Sequence, residues 1–291
     1  MADALATRVP RELRVDANGV AFGALQWGAD RAPLALLLHG FPDTAWTWRH
    51  LGPYLAERGW RAVAPFSRGY APTALAPDDR YGVADLGRDA CALHAALGGD
   101  ERAVLVGHDW GAVATWAVTA SDPDRFDRYV AMAVPPPAAL VATASPRLVP
   151  RQLRLSWYIG FNQVPGAERQ FGRVVPKLWR TWSPGYDPSE DLRRFFAALP
   201  TLAHRRAALE YYRDGFRRRV TEMFSVEAGA PALYLHGERD GCLQAAIGER
   251  AIAALPSGSR FAKVPGVGHF LQLEDPERVN SLIGDWLGTP V

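Results

Sequence analysis

The chain has 291 residues, 48 % of them apolar and 22 % charged, with a formal net charge of +2 at neutral pH. That is the composition of a globular protein able to bury a large core, and it carries no basic excess of the kind that binds nucleic acid. No uncharged apolar run approaches the ~18 residues that a membrane helix needs, and residues 1–30 hold no signal-type apolar stretch, so a cytoplasmic protein is expected.

Residues 8–27 read as two strands joined at Asn18-Gly19, a dipeptide that favours hairpin turns. The apolar run 33–38, closed by His39-Gly40-Phe41-Pro42, predicts a central buried strand feeding a loop. Trp48, Leu51 and Leu55 fall at helical spacing, which predicts a helix over 45–58 stopped by Gly59. A strand over 60–64 precedes a loop over 65–80, punctuated by Gly69, Pro72 and Pro77, and a helix over 83–97 ends at Gly98-Gly99. A strand over 103–106 and a buried helix over 112–120, halted by Ser121-Asp122-Pro123, come next, followed by a strand over 126–134.

The alternation breaks at Pro135-Pro136-Pro137, and no strand is apparent before about residue 225; aromatic and arginine-rich helical stretches fill the gap. It resumes with a strand over 231–236, a helix over 243–255, a strand over 260–264 and a last helix over 275–287 with Pro276 in its first turn. Strands alternating with helices imply an α/β fold with a mostly parallel sheet covered by helices. The expected division is a core from 1–134 and 226–291 with a helical cap, 135–225, inserted in it. Residues 135–225 carry 15 Lys and Arg against 7 Asp and Glu, a charge excess that fits a solvated helical surface or the steering of an anionic partner. The two cysteines, Cys91 and Cys242, fall in segments expected to be helical and far apart, and read as buried free thiols rather than a disulfide.

The chemistry centres on Gly107-His108-Asp109-Trp110-Gly111, which lies between a predicted strand and a predicted helix. Strand, sharp turn flanked by glycines, helix is the layout of a nucleophile elbow, here with Asp109 where such turns commonly hold serine. A carboxylate attacking a carbonyl would give an anhydride, whereas one attacking a saturated carbon gives an alkyl ester that water can cleave. Asp109 therefore points to an sp³ electrophile, an epoxide or an alkyl halide, and the helix N-terminus that follows favours its ionised form. The bland alternative is an ordinary aspartate N-cap on a core helix.

Cleaving such an ester needs a base and a group that orients it. His269, in the loop Pro265-Gly266-Val267-Gly268 just past the last strand, is the candidate base; His236 lies within a strand and reads as a packing residue. Asp240, in the turn before Gly241, is the candidate acid ahead of Glu238, and Pro135-Pro136-Pro137 leaves no carboxylate after the preceding strand. The backbone amides of Phe41 and Trp110 are expected to converge on a carboxyl oxygen of Asp109 as an oxyanion hole. No Cys/His spacing of zinc type occurs, and no metal or organic cofactor is called for.

With His39-Gly40-Phe41-Pro42, Ser67-Arg68-Gly69-Tyr70, Gly107 to Gly111, Glu238-Arg239-Asp240 and Gly268-His269 in this order, the chain resembles the α/β-hydrolase superfamily and, within it, the epoxide hydrolases. The resemblance implies two cap tyrosines that hydrogen-bond the epoxide oxygen. Ser156-Trp157-Tyr158 and Glu210-Tyr211-Tyr212-Arg213 resemble the two segments, which gives Tyr158 and, by register, Tyr212. Phe41, Trp110, Trp157 and Phe161 are the expected lining of an apolar substrate pocket. The expected partners are a small apolar epoxide and water, with no nucleic acid or membrane, and monomer and homodimer both stay open. Haloalkane dehalogenases resemble the chain at the same elbow. They imply a second N–H donor for halide beside Trp110; Phe41 supplies none from its side chain, leaving Trp157, Trp179 or Trp182. A non-catalytic binding protein on this fold is the third alternative, and it has no use for Asp109, Asp240 and His269 as a set.

Overall fold

The computed structural model describes residues 9–218 and 224–290. Strands β1 (Arg11–Ala17) and β2 (Val20–Trp27) form an antiparallel hairpin in which Asn18 and Gly19 both have positive φ, 46° and 73°. Two consecutive left-handed residues match the twist of a tight hairpin, and Asn-Gly tolerates them at low cost. β3 (Leu34–Leu38), β4 (Arg61–Pro65), β5 (Val104–His108), β6 (Arg128–Met132), β7 (Ala232–Gly237) and β8 (Arg260–Val264) complete one eight-stranded sheet. Its order is β1-β2-β4-β3-β5-β6-β7-β8; β2 meets β4 antiparallel, and every pairing beyond β4 is parallel. β3 and β5 are buried along their whole length, which is why Leu34–Leu38 and Val104–Val106 are continuous apolar runs without alternation.

Helices α1 (Leu51–Ala56), α2 (Val83–Ala96) and α3 (Trp110–Ser121) connect these strands, and α3 is buried on nearly all sides between α2 and strands β3, β5 and β6. Its sequence is accordingly apolar all round. The helix expected over 45–58 is split: Ala45–Trp48 is a 3-10 turn capped by the Thr44 hydroxyl, and only Leu51–Ala56 is α-helical. Pro53 has no N–H to bond the carbonyl four residues back, so one helix cannot run through.

Among the described residues no strand lies between β6 and β7. The chain there forms α4 (Pro137–Ala142), α5 (Val149–Leu155), α6 (Trp157–Gln163), α7 (Phe171–Trp182), α8 (Ser189–Ala198) and α9 (Leu202–Arg218). Phe171, Val175, Leu178, Trp179 and Trp182 give α7 one buried stripe at helical spacing. Polar ties fasten this insertion to the sheet layer: Trp179 Nε1 donates to the Pro42 carbonyl (3.0 Å), Arg49 pairs with Asp191 (2.7 Å), and the Tyr211 hydroxyl donates to the Arg68 carbonyl (2.7 Å).

After β7, helix α10 (Ala245–Ala251) starts later than the expected 243 and passes into a 3-10 turn, Ile252–Ala254. The Asp240 carboxylate takes the amides of Cys242 (2.7 Å) and Leu243 (3.0 Å), holding them in a turn. Cys242 is therefore a loop residue, not a helical one; it is buried, Cys91 in α2 is half-buried, and both are free thiols. α11 (Leu271–Glu274) and α12 (Pro276–Leu287) close the chain. Among the described residues no helix is long and apolar enough to cross a membrane.

Candidate active site

Asp109 sits between β5 and α3 with φ 53° and ψ −115°. A non-glycine residue at positive φ costs about 1–3 kcal/mol and persists only where its surroundings enforce it. The glycines on either side do so: a Cβ at Gly107 would collide with the Gly111 carbonyl, and one at Gly111 with the Leu38 carbonyl of the neighbouring strand. α3 can thus start tight against β3 and β5, at the carboxyl end of the sheet, where open α/β folds gather ligands. Although Asp109 stands at the N-cap position, its side chain makes no capping hydrogen bond. It accepts the Phe41 amide on Oδ1 (2.8 Å), and Oδ2 lies 3.5 Å from His269 Nε2. Of the two amides expected here, that of Phe41 is in place; the Trp110 amide makes no hydrogen bond to this carboxylate among the described residues.

His269 is fully buried, and its Nδ1 is 2.9 Å from Asp240 Oδ2. Glu238, the other carboxylate considered, turns away and accepts the Gly266 amide (2.9 Å). Burial pushes the His269 imidazole down, but the charges of Asp240 and Asp109 outweigh it and hold the group up at about 10. Desolvation works against the ionised Asp240 as well, and the neighbouring His269 reverses it, leaving this carboxyl below its usual range. Two other histidines near the site stay neutral. Burial lowers His108 to about 3, and it donates from Nε2 to the His269 carbonyl (2.9 Å). Burial lowers His39 to about 4; it donates from Nδ1 to the Gly40 carbonyl (2.9 Å) and accepts the Ser67 amide (2.9 Å). His236 does more than pack: it lies 2.6 Å from the Tyr234 hydroxyl and 3.0 Å from the Leu243 carbonyl, fixing the loop that carries Asp240.

Above Asp109 is a cavity of about 150 Å³, bounded by Asp109, Trp110, Val113, Tyr158 and Tyr212 and by the apolar side chains of Val134, Pro137, Leu140, Ile159 and Phe224. That volume accommodates a molecule about the size of benzene. Tyr158 and Tyr212 meet edge to face at 5.8 Å, and burial raises both phenols well above their ordinary range. The Tyr158 hydroxyl is 3.3 Å from the Cys242 sulfur, whereas that of Tyr212 has no hydrogen-bond partner of good geometry. Trp110 packs edge to face on Tyr212 at 5.0 Å. Three of the expected pocket side chains lie elsewhere. Trp157 is 38 % exposed, on the outer side of α6 with the Lys177 ammonium over its ring (4.7 Å), and Phe161 packs against it. The Phe41 ring is packed among Phe171, Phe195 and Tyr212, so only its amide faces Asp109. The reason is helical geometry: adjacent residues 157 and 158 point about 100° apart, so burying Tyr158 turns Trp157 out.

Comparison with known proteins agrees with this architecture. The alpha/beta hydrolase fold family matches residues 33–276. Epoxide hydrolase A of Mycobacterium tuberculosis is 30 % identical over 96 % of this chain and 97 % of its own. The chain belongs to the epoxide hydrolase family of the α/β-hydrolase superfamily. Among solved structures of the family, epoxide hydrolase A from Mycobacterium thermoresistibile superposes with a TM-score of 0.76 at 27 % identity, covering 96 % of this chain and 98 % of that one. The epoxide hydrolase VrEH1 from Vigna radiata gives 0.77 at 25 % identity, covering 96 % and 97 %.

Several residues of this family member's site carry no signal in the sequence. The Trp182 carbonyl at the end of α7 accepts the amides of both His269 (3.0 Å) and Gly241 (3.1 Å), so one backbone atom of the helical insertion holds the loops that carry His269 and Asp240. Next to it Ser183 Oγ donates to Glu274 (2.5 Å) and accepts the Phe270 amide (3.0 Å), while Glu274 also accepts the Gly268 amide (2.8 Å). In the sequence Ser183-Pro184-Gly185 reads only as a helix breaker. The ligand atoms of Asp240, Cys242 and His269 lie within 4.8 Å of one another, the one grouping among the described residues with donors for a cation. Two of the three already bond each other, and a cation there would displace that bond.

Proposed function

We propose that the protein opens a small apolar epoxide to a vicinal diol through a covalent ester on Asp109. The observation that carries this reading is the arrangement of the cavity: a strained, ionisable carboxylate at its floor, two buried phenols across from it, and a carboxylate-oriented imidazole behind. The epoxide oxygen is held by the Tyr158 and Tyr212 hydroxyls, which donate to the charge that develops as the ring opens. Asp109 attacks one ring carbon with Oδ2. The C–O bond breaks, its electron pair goes to the oxygen, and that oxygen takes a tyrosine proton. Esterification removes the charge on Asp109, so His269 loses one of the two anions that keep it protonated. Its proton restores the tyrosine, and the neutral imidazole, held by Asp240, becomes the base that takes a proton from water. Attack of that water on the ester carbonyl puts negative charge on the oxygen facing the Phe41 amide. On collapse the departing alkoxide takes the proton from the His269 imidazolium, and the carboxyl left on Asp109 passes its own proton to the imidazole, which restores the resting pair. The helical insertion acts as the cap that brings the phenols to the carboxylate.

The relatives named as epoxide hydrolases support this reading. The dehalogenase alternative has less support: Trp157 lies outside the cavity, Trp179 Nε1 is engaged by the Pro42 carbonyl, and Trp182, packed on Tyr158 and His269, is not among the residues that border the cavity. The test is a paired assay on purified protein, diol from styrene oxide and halide from 1-bromobutane. Diol without halide, abolished in Asp109→Ala, is the expected result. Halide without diol would overturn it.

A further inference from the structure

The two cavity phenols differ in what stands behind them, and the difference comes from the loop that carries Asp240. Cys242 is two residues beyond that carboxylate, 5 % exposed, with its amide bonded to Asp240 Oδ1 (2.7 Å). Its carbonyl accepts the side-chain amide of Gln152 from α5 (2.9 Å), and Gln152 also accepts the Gln244 amide (3.1 Å). The backbone of residue 242 is thus pinned from the core and from the insertion at once, and its sulfur rests 3.3 Å from the Tyr158 hydroxyl. The Tyr212 hydroxyl, equally buried and bordering the same cavity, has the Trp110 indole beside it and no hydrogen bond to the thiol.

Resting on the epoxide reading, we propose that Cys242 is a positioning residue for Tyr158: its S–H donates to the phenol oxygen and leaves the phenol proton directed at the epoxide oxygen. The direction of this hydrogen bond follows from three considerations. A thiol sulfur is a weak acceptor and a phenol oxygen a good one. Burial keeps the thiol protonated, so its hydrogen is present to be given. The ionised Asp109 at the cavity floor draws the positive end of the Tyr158 O–H dipole inward, away from the sulfur. During ring opening the C–O electron pair moves to the epoxide oxygen, which takes the Tyr158 proton. The S–H then stabilises the phenolate until the His269 imidazolium returns a proton to it.

The inference is tested with Cys242→Val, which replaces the donor with a slightly larger apolar group, and Cys242→Ser, which keeps a donor, each alone and combined with Tyr158→Phe. Single-turnover mixing with styrene oxide, followed by tryptophan fluorescence, separates ester formation from ester hydrolysis. Cys242→Val is expected to slow ester formation about fivefold, the size of one neutral hydrogen bond, with hydrolysis unchanged. Cys242→Ser should recover most of the rate. In the Tyr158→Phe background the valine substitution should have no further effect, because the acceptor is gone. Equal losses in both backgrounds, or serine falling as far as valine, would overturn the assignment. Thermal unfolding of each variant separates a folding defect, which serine and valine would show without regard to Tyr158. Failure of the wild-type protein to form any diol would instead refute the epoxide reading itself.

Discussion

Asp109→Asn should lower the titration midpoint of His269 by about three pH units. The substitution is isosteric and removes one negative charge 3.5 Å from Nε2. At an effective dielectric constant of ~20 a unit charge at that separation contributes about 4–5 kcal/mol, or somewhat over three pH units, to holding the imidazole proton. Starting from about 10, the histidine would then titrate near neutrality while still bonded to Asp240. In the proposed mechanism alkylation of Asp109 removes the same charge, so the substitution mimics the step proposed to turn His269 into a base. The assay is a pH titration of the His269 ring by heteronuclear NMR, with intact mass confirming that the amide survives. A midpoint unchanged between wild type and Asp109→Asn would refute the reasoning, because the elbow carboxylate would then not be what controls the base. A stability consequence accompanies it. The folded chain binds this proton more tightly than the unfolded chain, whose histidine has the ordinary value of 6.5. The stabilisation is therefore complete below pH 6.5 and lost as pH rises towards 10. In Asp109→Asn that window of falling stability should narrow from its alkaline side.

Replacing the proposed base with glutamine, His269→Gln, should leave ester formation and slow hydrolysis by about 10²–10⁴-fold; intact mass spectrometry after brief exposure to styrene oxide should show one substrate equivalent on Asp109, and no adduct would argue against the covalent route. Trp157→Ala should leave kcat/KM unchanged, since the indole faces solvent with Lys177 above it; a loss of tenfold or more would show that the ring reaches the substrate. Ser183→Ala leaves the Phe270 amide and a Glu274 oxygen unpaired beside the base loop, which should destabilise the fold by about 1–3 kcal/mol in denaturant titration and lower kcat more than it raises KM.

Much of this protein is set by local sequence. The unbroken apolar runs at Leu34–Leu38 and Val104–Val106 determine buried parallel strands, Asn18-Gly19 determines the hairpin, and Gly107 and Gly111 permit the strained Asp109 between them. Each depends on side-chain periodicity or on the steric demands of a few consecutive residues, so each is legible before folding. The turn before Gly241 favours Asp240 over Glu238, and Asp240 is the one that meets His269; Tyr212 is implied by the family resemblance alone, and it borders the cavity while the Tyr211 hydroxyl is tied to the Arg68 carbonyl. Other features were decided only in three dimensions. Trp157 turns outward because its neighbour Tyr158 is the one buried, and Pro53 divides a helix whose apolar spacing looked continuous. Cys242 reaches Tyr158 across 84 residues, and Ser183 reaches Glu274 across 91. No periodicity encodes such contacts, because they depend on where two loops end after the sheet has brought their strands together.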